Sequence, residues 1–170
     1  MSSVSLWRIA ADVGPFRADD LSGAGAKKYG GRFNSAGKGI FVVYASIHAS
    51  LPLLETLVHM GIKAKPGCAN RYLIELTVPA SIFKARQMMT IDDLISAGCH
   101  FWDAVPFSEA AQGIGDQFFR EKSALLLQVP TVIVPHRGIP DVNFLINPMH
   151  PDFALLKIVR REKFVYDPRL

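Results

Sequence analysis

The sequence predicts an α+β fold, a mostly antiparallel sheet core with flanking helices. Segments that read as strands outnumber those that read as helices, and the two kinds do not alternate as a doubly wound parallel sheet requires. Several strand-like runs also stop at a proline (Pro79, Pro130, Pro135), a residue with no ladder donor. A chain of 170 residues, 49% hydrophobic and 20% charged, fits one globular domain over residues 1–170 with a real core.

The elements follow in order. Met1 to Arg8 lacks a basic region followed by an apolar stretch, so no secretory signal is read there. Asp19 to Gly39 is rich in Gly, Ser, Ala and Lys and reads as a long loop, a type that often binds ligands. Ile40 to Tyr44 is β-branched and aromatic, a buried strand. Ser46 is placed to cap a helix running to about Met60 and ended by Gly61, with Leu51, Leu54, Leu57 and Val58 as its apolar face. Pro52 either kinks that helix or marks a restart capped by Ser50. Arg71 to Val78 is a strand, and Thr90-Ile91-Asp92-Asp93 is a capped helix start. Ser108 to about Lys122 is a weaker helix, broken by Gly113 and Gly115. Strands are expected at Ala124–Val129, Thr131–Val134, Asn143–Ile146 and Lys163–Tyr166, with a short helix starting at Asp152.

Composition excludes several function classes. No apolar run approaches the ~20 residues of a membrane helix. Cys68 and Cys99 lack paired metal-ligand spacing and are too few for a disulfide framework, so no metal and a reducing, cytoplasmic compartment are expected. The net charge of +4 is spread thinly, with Lys27-Lys28 and Arg160-Arg161 as its densest spots. Direct nucleic-acid binding would bring a larger cluster or aromatics among the basic residues; this balance suits an anionic small substrate or an acidic protein partner. Gly23 to Gly25 lacks the strand and helix of a dinucleotide fingerprint, and Ala36-Gly37-Lys38-Gly39 lacks the Ser or Thr of a phosphate loop.

Three side chains stand close together in the sequence: Arg32 in Gly30-Gly31-Arg32-Phe33-Asn34-Ser35, Tyr44 at a strand end, and Glu55 in a leucine-rich helix. They suit gripping a pyrophosphate, stacking on an aromatic ring and stabilising a positive sugar centre, which points to nucleotide chemistry and to NAD. Each has a plainer reading. Arg32 is also what an exposed loop carries, Tyr44 what a core strand carries, and Glu55 what a polar helix face carries, with His59 as its i+4 partner. Ser123 stands between a charged helix end and an apolar strand, to bond a ligand or to satisfy backbone groups; no Gly-x-Ser-x-Gly surrounds it. In Asn147-Pro148-Met149-His150-Pro151 the prolines hold Asn147 and His150 rigidly, or simply shape a turn.

Taken in order, Leu6-Trp7-Arg8-Ile9, Gly30-Gly31-Arg32-Phe33-Asn34, Val43-Tyr44-Ala45-Ser46, Leu53-Leu54-Glu55, Leu57-Val58-His59, Ser123-Ala124, Val129-Pro130, Asn143 to Pro148 and His150-Pro151-Asp152-Phe153 resemble the RES-domain family over nearly the whole chain. Phe164 and Asp167-Pro168-Arg169-Leu170 continue the likeness, while Phe33 stands where tryptophan is usual. The resemblance implies a toxin of a bacterial type II toxin–antitoxin module, with an ADP-ribosyltransferase-like fold. It implies an activity that consumes NAD by hydrolysis or phosphorolysis, or transfers ADP-ribose to a protein; the alternative of a different class is a catalytically silent module that binds its antitoxin. NAD would be substrate, with no separate cofactor. The arginine, glutamate and serine of the family name fall on Arg32, Glu55 and Ser123, with Tyr44 beside them. Arg8, Asn34 and Asn147 are expected as further substrate contacts. The implied partner is a helix-turn-helix antitoxin of Xre type that blocks the active site and carries any DNA binding.

Overall fold

A period-two alternation of buried residues builds a seven-stranded sheet with a core on each face. In the computed structural model, which describes residues 2–60, 70–135, 137–138, 141–167 and 169, the strands are β1 (Ser3–Ala11), β2 (Val43–Ser46), β3 (Arg71–Pro79), β4 (Gln87–Met88), β5 (Leu126–Pro130), β6 (Val142–Ile146) and β7 (Lys157–Lys163). Their spatial order is β4-β5-β6-β2-β1-β3-β7, and every pairing but β4–β5 is antiparallel. Val43, Ala45, Phe144, Ile146 and Leu126 enter one core; Leu127, Val129 and Leu145 enter the other, with Tyr44 packed against it. Tyr44, Ser46, Asn143 and Leu145 therefore share one face of β2 and β6.

The helices are α1 (Ala24–Tyr29), α2 (Ser50–Met60), α3 (Ala80–Lys84), α4 (Ile91–Ser96) and α5 (Glu109–Glu121), and a 3-10 turn spans Pro151–Leu155. The fold is thus α+β, as the sequence predicts. Thr90 and Asp93 close the expected capping box of α4. Neither expected cap holds: Ser46 ends β2 and bonds Asn143, and Ser50 is the first residue of α2 itself, so Pro52 falls in the first turn, where its missing N–H has no intrahelical acceptor to lose and no kink results.

Five local expectations are corrected. Gly113 and Gly115 do not break α5, which runs from the Ser108 cap to a left-handed Lys122 because Ala111 and Phe118 anchor one face in the core. Thr131 to Val134 is bent rather than a strand, because Thr131 Oγ1 takes the Ile133 N–H at 3.1 Å and competes with the ladder. The predicted Lys163–Tyr166 strand lies earlier, as β7, while Phe164 and Tyr166 make an edge-to-face ring pair at 4.9 Å. The predicted Ile40–Tyr44 strand is shifted to β2; Ile40 and Val42 are buried without joining the ladder. The Asp19–Gly39 loop contains α1. Gly61 and Cys68 lie outside the described residues. β1, unforeseen, holds the centre of the sheet, pairing with β3 over its full length.

Candidate active site

β1 and β2 pair only at Trp7 and Ser46; beyond that point the two strands part. A cleft of about 540 Å³ opens there, with walls that include Arg8, Arg32, Tyr44, Ser46, Glu55 and Asn143. A second space of about 580 Å³ continues from it along the parted strands, sharing Arg8, Ile9, Gly30, Tyr44 and His59 with the first.

α2 carries Glu55 into this cleft half-buried, between buried Leu51 and Leu57 and exposed Leu54 and Val58. Glu55 Oε1 accepts from Thr131 Oγ1 at 2.9 Å and from Asn143 Nδ2 at 2.8 Å. Both donors are held in turn: Ser46 Oγ donates to Asn143 Oδ1 at 2.6 Å, and Thr131 Oγ1 accepts from Ile133 N. Among the described residues Oε2 accepts no hydrogen bond, so one carboxylate oxygen is fixed and the other is free for the cleft. His59, one turn on, makes no ion pair with Glu55 among the described residues; it is exposed at the junction of the two spaces.

The glycine-led loop places Arg32. Gly31 and Asn34 bridge their backbones, and the turn between them carries Arg32. A Cβ on Gly31 would come within 2.8 Å of both the Tyr44 hydroxyl and Asn34 Oδ1, so this close approach requires glycine. α5 pins the loop from behind: Gln112 Nε2 donates to Gly31 O at 3.1 Å and Ser35 N donates to Asp116 Oδ1 at 2.8 Å. Arg32 Nη1 donates to the carbonyls of Trp102 and Ala104 at 2.9 and 3.0 Å, and its guanidinium lies 5.0 Å from the Phe107 ring centre. Among the described residues its Nε and Nη2 make no hydrogen bond, which leaves the other edge of the fork for an anion. Desolvation lowers the Arg32 pKa, and the charge of Glu55 opposes that shift.

Tyr44 presents its ring to the cleft, but its hydroxyl is committed: it donates to Asn34 Oδ1 at 2.9 Å and accepts from Phe33 N at 3.2 Å. Burial pushes its pKa well up, against the pull of the Phe33 N–H, so the hydroxyl stays protonated at neutral pH. Arg8 lines both spaces and reaches only a backbone carbonyl, Asp20 O, at 3.4 Å. Burial pulls its pKa down to about 10, with the charge of Asp20 acting the other way.

Three predicted contacts fall elsewhere. Ser123 is exposed and accepts from Gln87 Nε2 at 2.7 Å, before β5, whereas the cleft lies past the opposite end of β5, at Val129 and Pro130. The strand rise puts about 13 Å between the two ends of β5. Asn34 is fully buried, its oxygen held by Tyr44 and its Nδ2 donating to Ala26 O at 2.9 Å. Asn147, also fully buried, donates to Phe119 O at 3.0 Å and accepts from Met149 N at 3.0 Å. Both asparagines tie loops together and are closed off from the cleft by their burial. The sequence did not single out Ser46 and Asn143, which line the cleft, or Thr131, which is buried behind Glu55 and bonded to it. Asn143 shares the period-two face of Leu145, a usable signal; Thr131 lies just past Pro130, where the strand pattern ends. Among the described residues no group of three or more His, Cys, Asp or Glu could hold a metal ion. No helix of the described residues is long and apolar enough to cross a membrane.

The RES domain matches residues 5–167. The chain is 40% identical over 168 residues to the Prs ADP-ribosylating toxin of Sphingobium sp. (strain YBL2), covering 99% of this chain and 97% of that protein. It is 34% identical over 165 residues to Toxin Res of Pseudomonas putida KT2440, covering 97% and 98%. A chain of the crystal structure of the M. tuberculosis MbcT–MbcA toxin–antitoxin complex shares the fold, with a TM-score of 0.71 at 16% identity over 96% of this chain and 85% of that one. The domain match over nearly the full length, with relatives of this similarity, shows that the chain belongs to the RES family.

Proposed function

We propose that this protein is the toxin of a type II toxin–antitoxin module and acts in the cytoplasm by breaking the nicotinamide–ribose bond of NAD. The observation that carries this reading is Glu55, with one oxygen held by two fixed donors and the other free in a cleft that also holds the open edge of Arg32. As the bond breaks, its electron pair goes to the pyridinium nitrogen, so nicotinamide leaves neutral and needs no strong general acid. Positive charge develops on the ribose, as in glycoside hydrolysis, and the free oxygen of Glu55 stabilises it. Arg32 holds the pyrophosphate by Nε and Nη2 and so places the anomeric carbon. The ring of Tyr44 forms a wall for nicotinamide. An acceptor oxygen then bonds to that carbon and gives up its proton.

With water or phosphate as acceptor the reaction degrades NAD and arrests growth. The acceptor is a protein side chain in a second reading, favoured by the 40% identity to a toxin named for ADP-ribosylation. Incubating the pure protein with NAD and measuring nicotinamide tests the shared step; absence of release, with phosphate present, would sink it. Label from the ADP-ribose half then separates the acceptors, as free ADP-ribose, as its phosphate, or bound to a host protein.

Thr131→Val keeps shape but removes one donor to Glu55, and is expected to lower kcat about tenfold with KM little changed. Ser123→Ala should leave the rate within about twofold, because the serine is a surface group remote from the cleft. A large loss in Ser123→Ala, or none in Thr131→Val, would reverse these two assignments.

The partner in this reading is a helix-turn-helix antitoxin of Xre type, which also carries any contact with DNA. Val58 and Val105, both in the cleft wall, are exposed by 56% and 84% and suit an apolar segment of such a partner.

A further inference from the structure

Arg32 is held in the cleft wall by neutral partners. Its Nη1 donates to the carbonyls of Trp102 and Ala104, and its guanidinium carbon lies 5.0 Å from the centre of the Phe107 ring. Among the described residues no carboxylate bonds to it; Glu55 and Asp103 act on it only as charges nearby. An ion pair would stabilise the guanidinium, but an incoming anion would then have to displace a carboxylate. Carbonyls and a ring stabilise the cation and leave its charge for the ligand.

All three partners belong to the segment 102–107. Trp102, 5% exposed, anchors that segment in the core, and Phe107 stands half-buried in the cleft wall. The two carbonyls share one nitrogen and so grip a single corner of the fork; the ring adds a second hold on the guanidinium. A side chain ordered before binding loses less conformational freedom when the anion arrives. Resting on the reading of Arg32 as the pyrophosphate clamp, we infer that Phe107 is a positioning residue for it. The ring sets the guanidinium with Nε and Nη2 free for the anion and leaves the charge unneutralised. The bond-breaking step makes no use of the ring, so its effect falls on binding rather than on chemistry.

Phe107→Leu and Phe107→Met keep an apolar filler but remove the ring, whereas Phe107→Tyr keeps it. The two ringless variants should raise KM for NAD about fivefold with kcat within about twofold, and the tyrosine variant should match the unmodified protein. Inorganic pyrophosphate is the direct probe, because it can meet Arg32 without any reaction. Calorimetry should show it binding the unmodified protein and the tyrosine variant, about fivefold more weakly in the ringless pair. Thermal melts separate a hold on Arg32 from plain packing or from direct contact with substrate. Phe107→Leu should lower Tm by about 2 °C less in an Arg32→Gln background, where no cation is left to hold. Unchanged KM in the ringless variants, additive Tm shifts, or pyrophosphate binding that is absent or insensitive to the ring would overturn the inference. The two proposals fail separately. Pyrophosphate binding that depends on Phe107 without nicotinamide release keeps this role and removes the reaction; release with a KM insensitive to the ring does the reverse.

Discussion

Glu55→Gln is expected to lower kcat for nicotinamide release by about 10²–10³-fold, with a smaller change in KM. The amide has nearly the size of the carboxylate, and its oxygen can still accept from Thr131 and Asn143, now at 2.9 and 2.8 Å. What it removes is the negative charge on the oxygen that faces the cleft. A ground-state hydrogen bond to ribose would survive the change and leave KM near its starting value; stabilisation of a developing cation would not survive it. Initial rates of release across NAD concentrations separate the two. A variant that kept the unmodified kcat would show that the carboxylate charge is not used.

Gly115→Ala is expected to destabilise the protein by about 1–3 kcal/mol, or more if the backbone cannot yield. A chain of this length then loses on the order of 3–10 °C in Tm. An added Cβ would run into the carbonyl of Phe33, and its next neighbour would be Leu145 Cδ2 at 2.9 Å. Relief by moving the loop is resisted, because Phe33 N is bonded to the Tyr44 hydroxyl and Ser35 N to Asp116. Whatever movement does occur carries Arg32 with it, so KM for NAD should rise in the fraction that folds. Gly113→Ala supplies the opposite sign. That glycine is exposed, a Cβ added to it would meet nothing within 4 Å, and alanine there should stabilise α5 by about 0.5–1 kcal/mol. Thermal melts of the two variants settle the matter; equal shifts would mean that only helix propensity is at work.

These two glycines mark the limit of what a pattern can say. Both look like helix breakers in the sequence, since a glycine's cost in a helix is local and its benefit is not. Only the neighbour differs: Gly115 faces a carbonyl of another segment, and Gly113 faces water. Thr90 and Asp93 are the contrary case, because a capping box is made by residues three apart and can be read directly. Much the same holds for β3, β5 and β6, whose hydrophobic runs found their places within a residue or two. β1 escaped notice although it is central. Of its nine residues only Leu6 is fully buried, so its hydrophobic signal is faint and its position depends on partners far along the chain.

The candidate site divides along the same line. Arg32, Tyr44 and Glu55 have side chains whose chemistry is conspicuous within a few dozen residues, and all three line the cleft. Ser123, Asn34 and Asn147 were equally plausible as polar groups, but Ser123 is exposed before β5, at the opposite end from the cleft, and both asparagines are fully buried in bonds to the protein. Thr131 and Asn143 reach Glu55 across 76 and 88 residues of chain, a distance over which no local pattern operates. The sequence alone therefore determined the α+β class, because periodicity is a local property, and the family, through motifs in order along the chain; it also offered the conspicuous side chains that line the cleft. Tertiary structure alone decided which hydroxyl meets Glu55 and where the strands part. It also decided which glycine meets another segment where a side chain would stand, since each of these depends on segments that meet only after the sheet has formed.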